Sequence, residues 1–292
     1  MKILNFGSIN IDYVYQVSHF VEPGETLASQ NLQTFLGGKG CNQSVALAKA
    51  GVPVFHAGNI SENDTWIIDQ LRTWELDTHL IRKLPDPSGH AIIQVDNNGE
   101  NAIIIHGGAN QKIDTDQIDS VFAHFASGDV LLLQNEVNQI ADLIQQAKAK
   151  GMLVFFNPAP MTKAVLDYPL DLVDYLILNE TEAQQITGKS SQAEIEKQLL
   201  TQFPTSHFLL TFGAKGALFF SQKERHSVAA KKVKAIDTTG AGDTFIGYFL
   251  AAWSQGQSIP DSLKLASKAA AITVTRAGGA VSIPRKNEVM TA

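Results

Sequence analysis

Asp237-Thr-Thr-Gly-Ala-Gly-Asp243 is the segment whose residue types and spacing carry the most chemistry. In the stretch that follows, Phe245, Phe249 and Trp253 recur at i, i+4 and i+8, the spacing of a buried helical stripe, which predicts a helix over 241–254. That helix starts on glycines, so its first backbone N–H groups are not screened by side chains, at the end where the helix dipole is positive. Such an end attracts an anion, and Asp243, in the first turn beside it, can accept a proton from a hydroxyl held against it. The simpler reading is a capped helix in which Asp243 only complements the dipole. Gly37-Gly-Lys-Gly-Cys-Asn42 is a second glycine cluster opening a helix. It is not a Walker A loop, because Gly40 follows Lys39 where Ser or Thr is required, and no G-x-G-x-x-G follows a strand, which counts against a nicotinamide-dependent oxidoreductase. The glycines permit close backbone approach to a polar ligand, and the Asn42 amide offers both a donor and an acceptor to hydroxyls.

The elements that must position these groups are short apolar runs alternating with helical patterns. Strands are predicted at 3–6, 52–56, 130–133, 153–156, 175–178, 208–211 and 217–220, and helices at 42–50, 140–150, 181–187, 193–202, 241–254 and 260–276. Nearly continuous apolar strands separated by helices indicate a mainly parallel sheet covered on both faces, a three-layer α/β/α sandwich. Right-handed crossovers place the strand C-termini along one edge, where open α/β sheets bind ligands. To that edge the chain delivers Gly7, Asn10 and Asp12; Gln134, Asn135 and Glu136; Asn157-Pro-Ala-Pro160; Asn179, Glu180 and Glu182; and Gly213, Lys215 and Gly216. Any one of these polar groups is explained by capping the next helix, but convergence of five strand ends on one edge points to a site. Two β-rich insertions, at about 11–36 and 90–106, interrupt the pattern, and Asn98-Gly99 is a hairpin signal because both residues tolerate positive φ. Together they predict a small antiparallel sheet acting as a lid on a single domain spanning 1–292. A small sheet rich in Ile and Val cannot bury itself, so the lid implies a partner surface.

Composition narrows the classes. The 292 residues are 44% hydrophobic and 18% charged, with a formal net charge of −6, which excludes extensive disorder and argues against a nucleic-acid partner. No run approaches the length of a transmembrane helix, and the N-terminus enters a strand rather than a secretory signal. The single cysteine, Cys41, rules out an internal disulfide and suits a reducing cytoplasm. The eight His show no metal spacing, and Trp66 and Trp74 read as packing residues of a helical stretch.

Two signatures, Gly37-Gly-Lys-Gly-Cys-Asn-Gln-Ser-Val-Ala46 and Asp237-Thr-Thr-Gly-Ala-Gly-Asp-Thr-Phe245, resemble those of the ribokinase-type carbohydrate kinase family, which also contains fructokinases and adenosine kinases. The resemblance covers essentially the whole chain. Gly7-Ser-Ile-Asn-Ile-Asp12, Asn157-Pro-Ala-Pro160, Asn179-Glu-Thr-Glu182, Gly99-Glu-Asn101 and Gly108-Ala-Asn110 are similar to the ribokinase branch in particular. It implies a ribokinase-like fold and ATP-dependent phosphorylation of a sugar's primary hydroxyl, D-ribose to ribose 5-phosphate. It further implies that Asp243 is the base and that the backbone of Gly240, Ala241 and Gly242 forms the anion hole. Sugar binding falls to Asn10, Asp12, Gly38, Lys39, Gly40, Asn42 and Glu136, with Asp243 also against the sugar. Asn179 and Glu182 handle phosphate and Mg²⁺ through water, with Glu182 the metal residue. Thr211, Gly213, Lys215 and Gly216 match the loop over the nucleotide; Gly242 and Ser267 complete that side, Ser267 standing where some relatives place a larger residue beside the adenine. Asp237, Thr239, Thr273, Arg276, Gly278 and Ser282 match a K⁺ site built mostly from backbone carbonyls. The resemblance also implies a cytoplasmic homodimer paired through the lid. A fructokinase or deoxyribokinase fits the same motifs, and a non-catalytic sugar-binding protein would have no use for the complete set of catalytic groups.

Overall fold

The computed structural model describes residues 1–291. The chain opens with β1 (Ile3–Phe6), β2 (Asn10–Gln16) and β3 (Asn31–Gly37), then helix α1 (Lys39–Lys49), β4 (Val54–Ser61), α2 (Trp66–Thr73) and β5 (Ile81–Leu84). A hairpin of β6 (Gly89–Val95) and β7 (Asn101–His106) precedes α3 (Thr115–Phe122). Regular alternation follows: β8 (Val130–Gln134), α4 (Ile140–Ala149), β9 (Leu153–Asn157), β10 (Tyr175–Asn179), α5 (Glu180–Thr187), α6 (Gln192–Gln202) and β11 (His207–Thr211). The hairpin β12 (Ala217–Phe220) and β13 (Arg225–Val228) leads to α7 (Ala241–Ser254), α8 (Ile259–Thr273) and α9 (Lys286–Thr291).

Nine strands form one sheet in the order β13-β12-β11-β10-β9-β8-β1-β4-β5. The pairings from β5 to β11 are parallel, and only the β11–β12 and β12–β13 pairs at one end are antiparallel. The central strands read as unbroken apolar runs because helices cover both faces: Val130, Leu131, Leu132 and Leu133 are all inaccessible to solvent. Alternate residues feed two cores. Ile3, Leu132, Phe155 and Phe219 pack with Val45 of α1 and Phe249 of α7, while Leu4, Leu131 and Phe208 pack with Phe122 of α3 and Leu143 of α4. Each such side chain contributes about 1.5–3 kcal/mol on full burial, so both helical layers are firmly held.

Helix starts follow local chemistry. Asp114, Ser191 and Ser258 accept N–H bonds at the starts of α3, α6 and α8. α7 begins where its aromatic stripe predicts, after Gly240 at φ 73°. α7 lies close against α1 because Gly247 has no side chain; a Cβ there would sit 2.4 Å from the Ala46 Cβ and 3.0 Å from the Gln43 carbonyl oxygen.

A second sheet, in the order β3-β2-β6-β7, stands beyond the C-terminal edge of the first. It is mixed rather than antiparallel: β2 pairs with β3, and β6 with β7, in antiparallel fashion, but the central pair β2–β6 is parallel, with Asn10 opposite Gly89. Both β2 and β6 follow strands of the main sheet, β1 and β5, that run the same way, so they leave it in one direction and only their partners return. The turn at 96–100 also departs from the sequence expectation. Gly99 alone takes positive φ, at 82°, and Asn98 does not. The Asp96 carboxylate organises the loop by accepting the N–H groups of Asn98 (2.8 Å) and Glu100 (2.9 Å).

Candidate active site

A cleft of about 700 Å³ opens between the C-terminal edge of the main sheet and the inner face of the small sheet. Asn10, Asp12, Gly38, Lys39, Asn42, Glu136 and Asp243 share its walls with Asn179, Glu182, Thr211, Asp237, Thr239, Gly240, Gly242 and Gly278. Residues from both ends of the chain therefore meet in one place.

Asp243 is buried in the first turn of α7, and each of its oxygens accepts one amide N–H from α1: Oδ2 from Asn42 Nδ2 (3.0 Å) and Oδ1 from Gln43 Nε2 (2.9 Å). Asn42 thereby uses one hydrogen of its amide, while its Oδ1 is buried beside the cleft and has no partner among the described residues. An N–H or O–H donor is what such an acceptor requires. Asp12 sits at the opposite wall against Gly37, close enough that no side chain fits there. Burial, reinforced by the Glu136 charge, pushes the Asp12 carboxyl up to about 7.

Glu136 accepts the Lys39 backbone N–H (2.8 Å) and the Ser8 hydroxyl, and burial raises its carboxyl in spite of the Lys39 charge. The Lys39 ammonium is held above its ordinary range chiefly by Asp243, against the opposing effect of burial, with Glu136 and Glu182 adding to it. One cation thus serves three carboxylates. Asn10 is fixed by Asn110, whose Nδ2 donates to Asn10 Oδ1 (2.7 Å) while its Oδ1 accepts the Ile9 N–H (3.0 Å). Asn110 sits in a short 3₁₀ turn with nothing local to mark it as part of a site; the sequence signal was only its place in Gly108-Ala-Asn110.

The α7 start presents N–H groups to the cleft. Those of Gly240 and Gly242 have no partner among the described residues. Ala241, expected among the donors, instead gives its N–H to the Thr238 carbonyl (3.2 Å) and does not line the cleft. Asn179 and Glu182 form a capping box on α5: Glu182 N donates to Asn179 Oδ1, and Asn179 N and Nδ2 each donate to a Glu182 oxygen, all at 2.9 Å. Burial raises the Glu182 carboxyl, with Asn179 and Lys39 working against it. One lone pair on each Glu182 oxygen stays available for a water of a hydrated cation.

Asp237 bridges two loops, accepting from Thr239 N (2.8 Å) and Gly278 N (2.9 Å). Burial opposes its charge, but these hydrogen bonds outweigh it and hold the carboxyl below the usual range. Arg276 N donates to the Thr273 carbonyl (3.0 Å), and Ser282 Oγ donates to the Gly279 carbonyl (2.8 Å). Thr273, Arg276 and Ser282 do not line the cleft, whereas Asp237, Thr239 and Gly278 do. Gly40, Gly213, Lys215, Gly216 and Ser267 lie outside the cleft walls. Gly40 is packed on β1's exit, where a Cβ would meet Ser8 N at 2.4 Å. Lys215 reaches Glu180 (3.7 Å), in a neighbouring hollow, and Ser267 Oγ donates to the Ala229 carbonyl (3.3 Å).

Residues 1–286 match the pfkB family carbohydrate kinase description. A ribokinase of Haemophilus influenzae is 35% identical, over 97% of this chain and 95% of its own. A deoxyribokinase of Salmonella typhi is 31% identical, over 97% and 96%. The solved structure of Arabidopsis thaliana ribokinase complexed with ribose and ATP superposes with a TM-score of 0.87 at 28% identity, covering 99% of this chain and 97% of that one. Asp243, the glycine-led start of α7 and Asn42 thus stand in a chain that, by family match along nearly its full length, belongs to the pfkB family of carbohydrate kinases.

Proposed function

We propose that this protein transfers the terminal phosphoryl group of ATP to the primary hydroxyl of D-ribose, giving D-ribose 5-phosphate and ADP. The observation that carries the reading is the pair of groups at the cleft floor: Asp243, held by two amides, beside an Asn42 Oδ1 that lacks a partner. The ribokinase names among the relatives choose the sugar.

Asp12, Asn42 and Asn10 hold ring hydroxyls, and Glu136 and Gly38 fix the backbone around them. Asp243 takes the proton of the primary hydroxyl as its oxygen forms the new bond to phosphorus and the bond to the ADP oxygen breaks. Free N–H groups at Gly240 and Gly242 stabilise the negative charge of the transferring group. ATP lies towards Asn179, Thr211 and the 213–216 turn, with Ser267 beside the base. Glu182 would hold Mg²⁺ through water, and the ion would supply charge neutralisation to the phosphates. Asp237, with carbonyls of 239, 273, 276 and 278 and with Ser282, would hold K⁺, which would stiffen the loop beside the anion hole.

The small sheet acts as a lid that excludes water from the closed cleft, within a single domain. The lid also pairs two chains into a homodimer. Ile103 and Ile105 of its edge strand β7 line the cleft, while Ile104, 65% exposed, turns to the other face, an apolar residue that a second copy would cover. Among the described residues no helix is long and apolar enough to cross a membrane. The one cysteine, buried and free, is compatible with a reducing, cytoplasmic setting.

Phosphate transfer from ATP across a panel of ribose, 2-deoxyribose, fructose and adenosine tests the reading. The expected result is the highest kcat/KM on ribose. Faster turnover of 2-deoxyribose would favour the deoxyribokinase reading, for which the Salmonella typhi relative is the supporting observation.

A further inference from the structure

Behind the cleft wall, a chain of buried side chains that are not themselves part of the cleft lining leads away from Asp243, with one longer contact to the wall, from Gln43 Nε2 to Asn157 Oδ1 (3.4 Å). Gln43 Nε2 donates to Asp243 Oδ1 (2.9 Å), and Gln43 Oε1 accepts from Gln134 Nε2 (2.7 Å). Gln134 Nε2 donates its other hydrogen to Asn5 Oδ1 (3.1 Å), and Asn5 Nδ2 donates to the Gly40 carbonyl and to Ser44 Oγ, both at 2.8 Å. Ser44 Oγ in turn pairs with His56 Nδ1 (2.8 Å). Asn5, Gln43, Ser44, His56 and Gln134 are all inaccessible to solvent. Burial lowers His56 to about 4, so the ring is neutral and able to accept at Nδ1.

The direction of every amide in this chain is dictated by its neighbours. A reversed Gln43 would set its oxygen against Asp243 Oδ1. A reversed Gln134 would set its oxygen against two acceptors, Gln43 Oε1 and Asn5 Oδ1. Gln134 Oε1 is itself buried without a partner, so the donors alone decide how this side chain lies. Gly7 leaves it the space, since a Cβ there would stand 2.5 Å from that oxygen. A core that needed only volume would fill these positions with Leu or Met; five polar groups arranged head to tail on one carboxylate are costly unless the order matters.

We propose that Gln43 and Gln134 are positioning residues that lock the rotation of the Asp243 carboxylate, with Gln134, at the end of β8, setting the sense of the whole chain. The inference rests on the reading of Asp243 as the base and extends it to two residues that meet neither substrate.

Gln134→Met and Gln43→Met keep length and volume and remove the polar link, and each is made in the parent and in an Asp243→Asn background. The expected result is a kcat about 10- to 100-fold lower, with the KM for ribose and for ATP within about twofold of the parent. On the Asp243→Asn background the same changes slow single-turnover transfer no further, because there is no carboxylate left to orient. Ribose binding by calorimetry shows that each variant has an intact cleft.

Parent-like kcat in both variants overturns the inference, as does an equal further loss on the Asp243→Asn background. Failure of both variants to fold or to bind ribose also overturns it, since the chain would then hold the cleft rather than one carboxylate. Parent-like turnover by Asp243→Asn alone would instead remove the reading of Asp243 as base.

Discussion

Gly37→Ala isolates what the Asp12 carboxylate contributes. Gly37 ends β3 at an ordinary backbone conformation, so an alanine there meets no dihedral strain. Its methyl, however, would lie 1.9 Å from Asp12 Oδ2 and 2.5 Å from Cγ. Real contacts do not fall below 3.0 Å, so from 1.9 Å the carboxylate must retreat by about 1.1 Å. That is beyond the tolerance of a hydrogen bond to a sugar hydroxyl. A hydrogen bond to a charged group contributes about 1.5–3 kcal/mol, so its loss weakens ribose binding about 10- to 150-fold. The fold itself is little affected, because the displaced group is the end of a side chain facing a cleft and the Gly-to-Ala change reduces unfolded-state entropy by about 0.4–1 kcal/mol. Calorimetric titration with ribose, beside a thermal melt, measures both. The expected outcome is a large rise in Kd at a nearly unchanged Tm, and in an Asp12→Ala background the added methyl should have no further effect on Kd. A folded Gly37→Ala protein that binds ribose as tightly as the parent would refute the reasoning.

The same carboxyl predicts a pH dependence. Because the folded protein raises Asp12 from 3.8 to about 7, protonation favours the free folded state; this contribution is present at acid pH and is lost as pH rises from about 4 through about 7. Asp12→Asn should therefore raise Tm more at pH 8 than at pH 5, and parent ribose affinity should strengthen as pH rises through about 7, a trend that the variant lacks; equal Tm gains at both pH values count against it. For the assembly, light scattering at micromolar concentration should give twice the 31.6 kDa chain mass, and Ile104→Lys should return it to one chain; a monomeric parent removes the homodimer. For the cation, turnover in K⁺ should exceed turnover in choline severalfold, and Asp237→Asn should abolish the difference without changing ribose Kd; a K⁺ response that persists in the variant removes Asp237 from the site.

What the sequence disclosed follows from how far apart the informative residues are. The α7 boundaries were legible because glycines, an acidic first turn and an aromatic stripe all lie within one short segment. The strand ends were legible because apolar runs stop at polar residues. The start of α1 was placed late, at 42 rather than at Lys39, because its first turn is Gly38 at φ 87° followed by residues with no apolar period. β5 and β13 are four residues each, and their patterns are not distinct from those of loops, whereas α3 went unplaced although Asp114 caps it and Ile118, Val121 and Phe122 make an apolar stripe. The parallel pairing of β2 with β6 joins residues such as Asn10 and Gly89, and nothing in either strand announces the other. Gln134 was legible as one of the polar residues at the strand ends, and Gln43 as a member of the first signature, but neither had a role assigned. Only the folded chain puts them behind Asp243.

The bonds from Asn42 and Gln43 to Asp243 span 201 and 200 residues of chain. During synthesis the two amides emerge early and then wait for a partner about two hundred residues further along the chain. Until α7 has left the ribosome, the groove against α1 that Gly247 is shaped to fill lies open. On the function proposed above, the part of the site already made then lacks both its base and its anion-binding helix start, and a product released before residue 243 is expected to be catalytically silent rather than partly active.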